Sequence, residues 1–315
     1  MDPITHTLTG VLVGEAGFRR RMGTAATVAL AVAAEAPDVD YVLRLFDHTH
    51  TLYLAHHRGI THSLLFAPAL AALVAFACRP LSWDRRFAPL FGVSLIGVLL
   101  HIVGDLVTPF GTMLLAPFSW RRFALDWFFI LDPYFSGTLL IALALAWAWR
   151  RRPRRALVVA RAGVAALAAY LALTGVLHAA ALAWVDRLAA ERGWATTATA
   201  AFPRPGSPFS WNGVAATPEA SYQVWFSLWD RALPEAGRYP AVALDGPLRA
   251  AEETPIVDLF RWFARFPVVE VRNGGSGAVV EMYDLRFQYP WRRTPFRVRV
   301  YLDGSGRVLK SGWAS

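Results

Sequence analysis

The stretch APLFGVSLIGVLLHIVGDL, residues 88–106, is apolar almost throughout and carries a histidine and an aspartate near its end. An apolar run of about 20 residues can cross a bilayer as a helix. Ionisable side chains inside such a run are costly and indicate a functional site. His101 and Asp105 are four residues apart, so a helix places both on one face. We predict that the pair binds a metal ion, with a helix-end hydrogen bond as the alternative.

The composition indicates a membrane domain followed by a soluble one. Of the 315 residues, 55% are hydrophobic and only 17% are charged, which is too apolar for an ordinary soluble domain. The apolar excess lies in the first part of the chain, so we predict a helical transmembrane domain over 1–190 and an extramembrane domain over 191–315. The single cysteine, Cys78, leaves no pair for a disulfide and no cysteine-based metal site.

Six apolar segments predict about five to six membrane helices, some of them short. The first two segments are shorter than a spanning helix needs, whereas the other four reach that length or nearly do so. The segments are 4–17, 23–36, 61–78, 88–106, 127–149 and 156–184.

Short arginine runs set the expected topology, because bacterial membrane proteins concentrate Lys and Arg in cytoplasmic loops. With each run in the cytoplasm, every motif that carries His or Asp reaches the outer face, together with the C-terminal domain. The net charge of +9 is then explained by topology, and we predict no nucleic-acid partner. Arg121 and Arg122 are an exception on the outer side, where we expect them to lie near a site for anions. The runs are 19–21, Arg79 with Arg85 and Arg86, and 150–155.

The residues after 191 have the pattern of a small α+β domain with an antiparallel sheet. Apolar residues at helical spacing predict one amphipathic helix over 254–266. Tyr283, Leu285, Phe287 and Tyr289 alternate with polar residues, which predicts a half-buried strand. The predicted strands are 221–229, 267–272, 278–289 and 296–303.

The motif HRGITHS, residues 57–63, contains two further candidate ligands. His57 and His62 are five residues apart, which is poor spacing for one helical face. Gly59 predicts a turn after which Thr61 caps the next helix, so that His57 folds back towards His62. A solvated loop histidine and a capping histidine are the alternatives. Arg58 is expected to bind an anion or to support a ligand.

The motif APDVD, residues 36–40, places Asp38 and Asp40 at the outer end of an apolar segment. In an extended chain, residues two apart point to the same side, so one or both are candidate ligands, with a solvated acidic turn as the alternative. His6 is a further candidate ligand. Asp126 is a candidate general base, and Asp132, before Pro133, is more typical of a helix cap.

MDPITHTLTG, APDVD, HRGITHS, HIVGDLVTPFGTMLLAPFS and LDWFFILDP follow one another along residues 1–150. Together they resemble a family of bacterial inner-membrane proteins described as predicted metal-dependent hydrolases, whose best-known member is under LexA control. The resemblance implies metal dependence and a membrane location, but no substrate. The short HxxGDxxxP element is also similar to one in zinc-dependent phospholipase C and single-strand nucleases.

We therefore expect a multi-pass protein of the bacterial inner membrane that holds one or more divalent ions, with zinc favoured. Imidazole and carboxylate are typical zinc ligands, and the residues assigned to the metal are His6, Asp38, Asp40, His57, His62, His101 and Asp105. The leading hypothesis is a phosphoester hydrolase that acts on a lipid, a lipid-linked molecule or another amphiphilic, phosphate-bearing substrate. A metal-stabilised scaffold or regulator is the alternative. An ion pathway is disfavoured, because its polar residues would be spread through the membrane depth.

Overall fold

The chain divides into two units in the computed structural model. The first comprises Met1–Leu45, His56–His178 and Pro203–Pro208. The second comprises Phe46–Ala55, Ala179–Phe202 and Phe209–Ser315. The expected boundary between residues 190 and 191 stays a prediction, and Arg85 of the second arginine run lies outside the described residues. The structure describes residues 1–47, 49, 51–82, 86–230, 234–244, 246–274, 277–290 and 294–314.

Helices occupy most of the first 191 residues. α1 begins where the Asp2 carboxylate accepts the Thr5 backbone N–H at 3.1 Å, an N-cap that satisfies one of the free donors of the first turn. A π-helical segment, Gly14–Phe18, separates α1 from α2. The helices are α1 (Pro3–Val13), α2 (Arg19–Met22), α3 (Thr24–Ala33), α4 (Thr51–His56), α5 (Ala67–Cys78), α6 (Phe87–Leu106), α7 (Pro133–Ala148) and α8 (Pro153–Glu191).

Within the described part of the chain, α6 and α8 are long and apolar enough to cross a membrane. The bent pair Thr51–His62 and Ala67–Leu81 adds a third candidate if it counts as one broken span. α3 and α7 are shorter apolar helices. The helical region thus has two or three candidate spans, and the expected five to six membrane helices stay a prediction.

Two of the expected helices begin later than their apolar segments suggest. Thr61 does not cap a long helix, because Ile60–His62 is a separate 3-10 turn and α5 starts only at Ala67. The segment 127–149 becomes helical only at Pro133, where the Asp132 carboxylate accepts the backbone N–H groups of Tyr134 and Phe135. The predicted capping role of Asp132 is confirmed.

Glycines bring α1, α3 and α6 into close contact. A Cβ atom on Gly10 of α1 would lie 2.6 Å from the Leu30 carbonyl oxygen of α3. A Cβ atom on Gly97 of α6 would lie 2.7 Å from the Ala33 Cβ atom of α3. Small residues permit this close approach of membrane helices, and the end of α3 is thereby held beside the end of α6.

The first unit gathers its His and Asp motifs at one end. Near the start of α1, Thr5 Oγ1 lies 3.4 Å from Ser136 Oγ in the first turns of α7. Tyr170 of α8 donates to the Asp132 carboxylate at 2.9 Å, so α8 returns to the end from which α7 starts. At 1.5 Å per residue, α8 rises about 25 Å between Pro153 and Tyr170. The arginine run at 150–155 therefore lies far from the motifs, whereas the membrane face of each end remains a prediction.

The second unit contains two four-stranded sheets, in the strand orders β1-β2-β3-β4 and β5-β6-β7-β8. The pairs β2–β3, β3–β4, β5–β6, β6–β7 and β7–β8 are antiparallel. Two short helices, α9 (Gly246–Glu252) and α10 (Pro255–Phe263), accompany the second sheet. The strands are β1 (Ala198–Pro203), β2 (Ser210–Ala216), β3 (Ala220–Ser227), β4 (Gly237–Pro240), β5 (Pro267–Gly274), β6 (Gly277–Asp284), β7 (Val298–Asp303) and β8 (Val308–Trp313).

The expected antiparallel-sheet domain with an amphipathic helix is confirmed, but it has two sheets rather than one. α10 buries Val257, Phe260 and Phe263 as its spacing predicts. The strand predicted over 278–289 is wrong beyond residue 284, because a 3-10 turn, Leu285–Phe287, follows β6. The Asp284 carboxylate accepts the Arg286 backbone N–H at 2.9 Å and its Nε–H at 2.8 Å, and these bonds stabilise the turn.

Candidate metal centre

Three segments of the first unit carry five of the seven candidate ligands. Asp38 and Asp40 lie in a 3-10 segment, Ala36–Leu45, directly after α3; the extended chain expected for them is wrong. His62 ends the 3-10 turn Ile60–His62, and His101 and Asp105 lie in the last turns of α6. All five side chains are buried.

Gly59 shapes the turn that contains His57 and Arg58. The Gly59 N–H donates to the His56 carbonyl at 2.8 Å, which confirms the turn predicted from Gly59. A Cβ atom at this position would lie 2.6 Å from the same oxygen, so only glycine fits. The rings of His57 and His62 then lie 5.9 Å apart between centroids, which confirms that His57 folds back towards His62.

Four ligand atoms converge from Asp38, His62, His101 and Asp105. The Nε2 atoms of His62 and His101 are 3.0 Å apart. Asp105 Oδ2 lies 3.2 Å from the His62 atom and 3.5 Å from the His101 atom. Asp38 Oδ1 lies 3.5 Å and 3.6 Å from the same two nitrogens. One ligand atom from each of the four residues lies within 4.8 Å of the ligand atoms of the other three.

The outer nitrogens of the two imidazoles carry their protons. His101 Nδ1 lies 2.6 Å from the Ala34 carbonyl oxygen, which can only accept, so Nδ1 donates and Nε2 keeps its lone pair. Thr61 Oγ1 donates to Asp40 at 3.1 Å, so it accepts from His62 Nδ1 at 3.0 Å. In neutral imidazoles, both Nε2 lone pairs therefore face each other and two carboxylates.

This arrangement fits a bound cation. Lone pairs this close together repel unless a proton or a metal ion lies among them. A tetrahedral zinc ion with ligands at roughly 2.0–2.2 Å separates its ligand atoms by about 3.3–3.6 Å, close to the measured separations. Among the described residues, Asp105 Oδ2 makes no hydrogen bond, which leaves it available as a ligand. The buried cluster can thus hold a metal ion, and the choice of zinc stays a prediction.

The other oxygen of Asp105 is held by cationic and imidazole groups. Arg58 Nη2 lies 2.8 Å from Oδ1 and His6 Nε2 lies 3.2 Å from it, and the Met1 amino group also contacts it. Arg58 Nη1 donates to Thr108 Oγ1 at 2.8 Å. Arg58 is buried, so its guanidinium supports a ligand. The predicted binding of a substrate anion by Arg58 stays a prediction.

A second group consists of Asp38, Asp40 and His57, whose ligand atoms also lie within 4.8 Å of one another. His57 Nδ1 lies 2.9 Å from Asp40 Oδ1. The other Asp40 oxygen accepts the Arg58 backbone N–H at 3.0 Å and lies 3.5 Å from His62 Nδ1. Asp40 thus orients both imidazoles, a support that metal-binding histidines commonly require.

His6 contacts the first of these groups, and Asp126 lies in a segment that pairs with the end of α6. The His6 ring stacks on the His101 ring with 3.7 Å between centroids, outside both groups of converging ligand atoms. Asp126 is buried with a left-handed φ of 58°. The N–H groups of its neighbours donate to the carbonyls of Leu106 and Val107 at 2.8 Å. The backbone on either side of Asp126 is therefore paired with the two residues that follow Asp105 in the chain.

Arg121 and Arg122 lie in two different environments. Arg122 Nη2 donates to the His57 carbonyl at 3.1 Å, and its Nη1 donates to the Gly111 carbonyl at 3.1 Å. It therefore supports the turn that carries His57. Arg121 is exposed and lies 5.4 Å from the Phe123 ring centre. The expected contact of this pair with an anion remains a prediction.

Sequence reasoning missed three groups that hold the ligands in place: the Thr61 hydroxyl, the Thr108 hydroxyl and the Ala34 carbonyl. Thr61 lies in the motif HRGITHS and Thr108 in HIVGDLVTPF, so their positions beside candidate ligands could have indicated a role in the site. No sequence pattern could have indicated the Ala34 carbonyl, because it contacts His101 only through the packing of α3 against α6.

A helical region with apolar candidate spans and a buried His and Asp cluster defines a membrane protein with a candidate metal centre. The model of the YdjM inner membrane protein family matches residues 1–185, and the chain belongs to this family. The inner-membrane part of the resemblance is thereby confirmed.

Two relatives illustrate the similarity. The chain is 30% identical over 158 residues to the uncharacterized protein YfhP of Bacillus subtilis (strain 168), a match that covers 47% of each protein. It is 45% identical over 65 residues to inner membrane protein YdjM of Escherichia coli (strain K12), which is 21% of this chain and 32% of that protein. The matches span about half or less of these relatives. No solved structure matches the chain.

Proposed function

We propose that this protein is a metal-dependent hydrolase that cleaves a phosphoester in a lipid or lipid-linked substrate. The observation that carries the proposal is the contact between the Nε2 atoms of His62 and His101. These atoms lie 3.0 Å apart, beside the carboxylates of Asp38 and Asp105. These four residues would hold the ion. His57 and Asp40 would hold or orient a neighbouring ligand, and His6 would add to the set.

A divalent ion held by these residues would lower the pKa of a water molecule and so supply a nucleophile near neutral pH. Arg58 keeps Asp105 in position through its contact with Oδ1. Asp126, whose backbone neighbours pair with Leu106 and Val107 directly after Asp105, is proposed as the general base that would accept a proton from the attacking water.

An apolar cavity beside the site supports a lipid substrate. It has a volume of about 170 Å³ and lies between α1, α6, α7 and α8. His6 and His101 form one part of its wall, and Leu12, Phe128 and Leu167 form other parts. Apolar walls favour an acyl chain, which would bring the adjoining phosphoester to the His and Asp cluster. The proposed partners are therefore the bilayer and an amphiphilic, phosphate-bearing substrate, without nucleic acid.

The burial of the cluster favours one second candidate, a metal-stabilised membrane scaffold or regulator. His62, His101 and Asp105 are fully buried, and Asp38 is 7% exposed. Four protein ligands around one zinc ion leave no open position, and closed sites of this kind are structural. In this case the second unit would be the part that binds a partner.

Metal analysis of the full chain purified in detergent tests the proposal, together with a screen against phosphoester lipids. His101→Ala and Asp105→Ala are each expected to lose the metal, because each removes a ligand and leaves the others unpaired. Asp38→Asn, which keeps the side-chain shape, is expected to weaken binding without unfolding the chain. His178→Ala is the control, because His178 lies outside both ligand groups.

The outcomes separate the candidates. Metal and lipid phosphoesterase activity that disappear together in the ligand variants would support the hydrolase. Bound metal without activity on any phosphoester would favour the scaffold. Equal metal content in the three ligand variants and in His178→Ala would refute the metal centre itself.

A further inference from the structure

A second cavity of the first unit lies at the arginine end, and its lining shares no residue with the metal centre. Its volume is about 710 Å³. It opens between the segment formed by the end of α1, the π-helical segment and α2 on one side and the turn from α7 to α8 on the other. Its walls are apolar and its charged groups are mainly cationic. The apolar residues include Val11, Leu143, Ala146, Trp147 and Leu157, and the charged residues are Glu15, Arg19, Arg20 and Arg150.

Two of the three guanidinium groups are open to a ligand. Arg19 Nη1 lies 2.8 Å from Glu15 Oε1, so this pair neutralises itself. Arg20 is exposed and has no acidic partner within the described ranges. Arg150 lies over the Trp147 ring at 4.0 Å from its centre, and its Nη1 donates to the Trp147 carbonyl at 3.2 Å. The Arg150 guanidinium forms no ion pair with an acidic side chain among the described residues.

We propose that this cavity binds the phosphate group of an anionic phospholipid. Guanidinium groups pair well with phosphate oxygens, and basic pockets between membrane helices are known to bind anionic lipid headgroups. The apolar walls formed by α7 and α8 accommodate the acyl chains, which a free phosphate ion would leave uncovered. Trp147 lies between the two regions, as tryptophans at membrane interfaces do. The site is separate from the metal centre and does not depend on hydrolysis.

Titration of the full chain in neutral detergent tests the proposal. The probes are dioctanoyl phosphatidylglycerol, dioctanoyl phosphatidylcholine and inorganic phosphate, and binding is measured by native mass spectrometry and by the thermal unfolding midpoint. Phosphatidylglycerol is expected to bind more tightly than either other probe. Each arginine beside an anionic lipid strengthens binding by a factor of about five, so R20Q with R150Q should weaken it roughly 30-fold.

The matched control is R21Q with R151Q, which removes the same charge from exposed arginines that do not line the cavity. It should change the affinity by less than about threefold, since its effect acts only through the general field. All four arginines are exposed, and unchanged unfolding midpoints without lipid will show that the variants are folded. Equal weakening in both double variants would refute a specific site. Inorganic phosphate that binds as tightly as phosphatidylglycerol would refute the lipid ligand.

Discussion

At the scale of single residues, the outer nitrogens of the histidines decide what the cluster can do. The Ala34 carbonyl fixes the tautomer of His101, and the Thr61 hydroxyl fixes that of His62. Each contact turns the Nε2 lone pair towards the other imidazole, with the Asp38 carboxylate close to both. Metal-binding histidines almost always donate their other ring N–H to a neighbouring group, so these contacts favour both residues as ligands.

Asp126 allows a prediction that separates catalysis from metal binding. Asp126→Asn keeps the shape, and asparagine tolerates the left-handed backbone at φ 58°, but an amide cannot accept a proton near neutral pH. Metal content is expected to remain, and turnover of an identified phosphoester is expected to fall by roughly 10²–10⁴-fold. Loss of metal in this variant would make Asp126 a ligand, and undiminished turnover would place the base elsewhere.

At the scale of secondary-structure elements, α6 both carries ligands and forms the closest helix contact. Its last turns hold His101 and Asp105, and Gly97, one turn earlier, lies against α3. The distance between the two helices therefore controls how Asp38, which follows α3, meets the α6 ligands. Any side chain at Gly97 acts on the site through this contact.

Two glycines of α6 give a matched pair for this prediction. A Cβ atom at Gly97 would lie 2.8 Å from the Leu30 carbonyl oxygen, whereas one at Gly92 meets no atom within 4 Å. Gly97→Ala should lower the free energy of unfolding by about 1–3 kcal/mol, the usual cost of overpacking, and should weaken metal binding. Gly92→Ala should be neutral or slightly stabilising. Unfolding midpoints and metal content in detergent will measure both, and equal values for the two variants would contradict the packing argument.

At the scale of the whole molecule, the first unit has candidate metal ligands and arginine runs at opposite ends. The His and Asp motifs gather at one end and the arginine runs at 19–21 and 150–155 at the other. The positive-inside rule assigns the arginine end to the cytoplasm. The proposed topology therefore has the metal centre and the second unit outside the cytoplasm.

Cysteine labelling of the full chain tests this topology. In a Cys78→Ala background, W120C and E253C should react with a membrane-impermeant maleimide in intact spheroplasts. R151C should react only after permeabilisation, because it lies in an arginine run that the rule places inside. All three positions are exposed. The reverse labelling pattern would place the metal centre and its substrate in the cytoplasm.

Local patterns predict the parts of this protein that depend on neighbours in sequence. The lengths of two apolar segments predict α6 and α8. Gly59 predicts the turn at His57, and Asp132 before Pro133 predicts a helix cap. The same patterns mistake the segment after β6 for a strand, because alternation continues past Asp284 while its carboxylate bonds the Arg286 N–H. A side-chain bond to the local backbone can end a strand without changing the hydrophobic pattern.

The sequence by itself determined which residue types would form the cluster, because ionisable side chains in apolar segments need partners. Only the tertiary structure decided which of them meet. Asp38, His62 and His101 come from three segments. Contacts of α3 with α6 bring Asp38 to His101, and contacts of Ala36–Leu45 with Ile60–His62 add His62. The lone-pair arrangement at His62 and His101 depends on Thr61 and on the Ala34 carbonyl, and the latter contact is long-range. Spacing along the chain cannot encode it, because the distance between these groups is set by packing between helices.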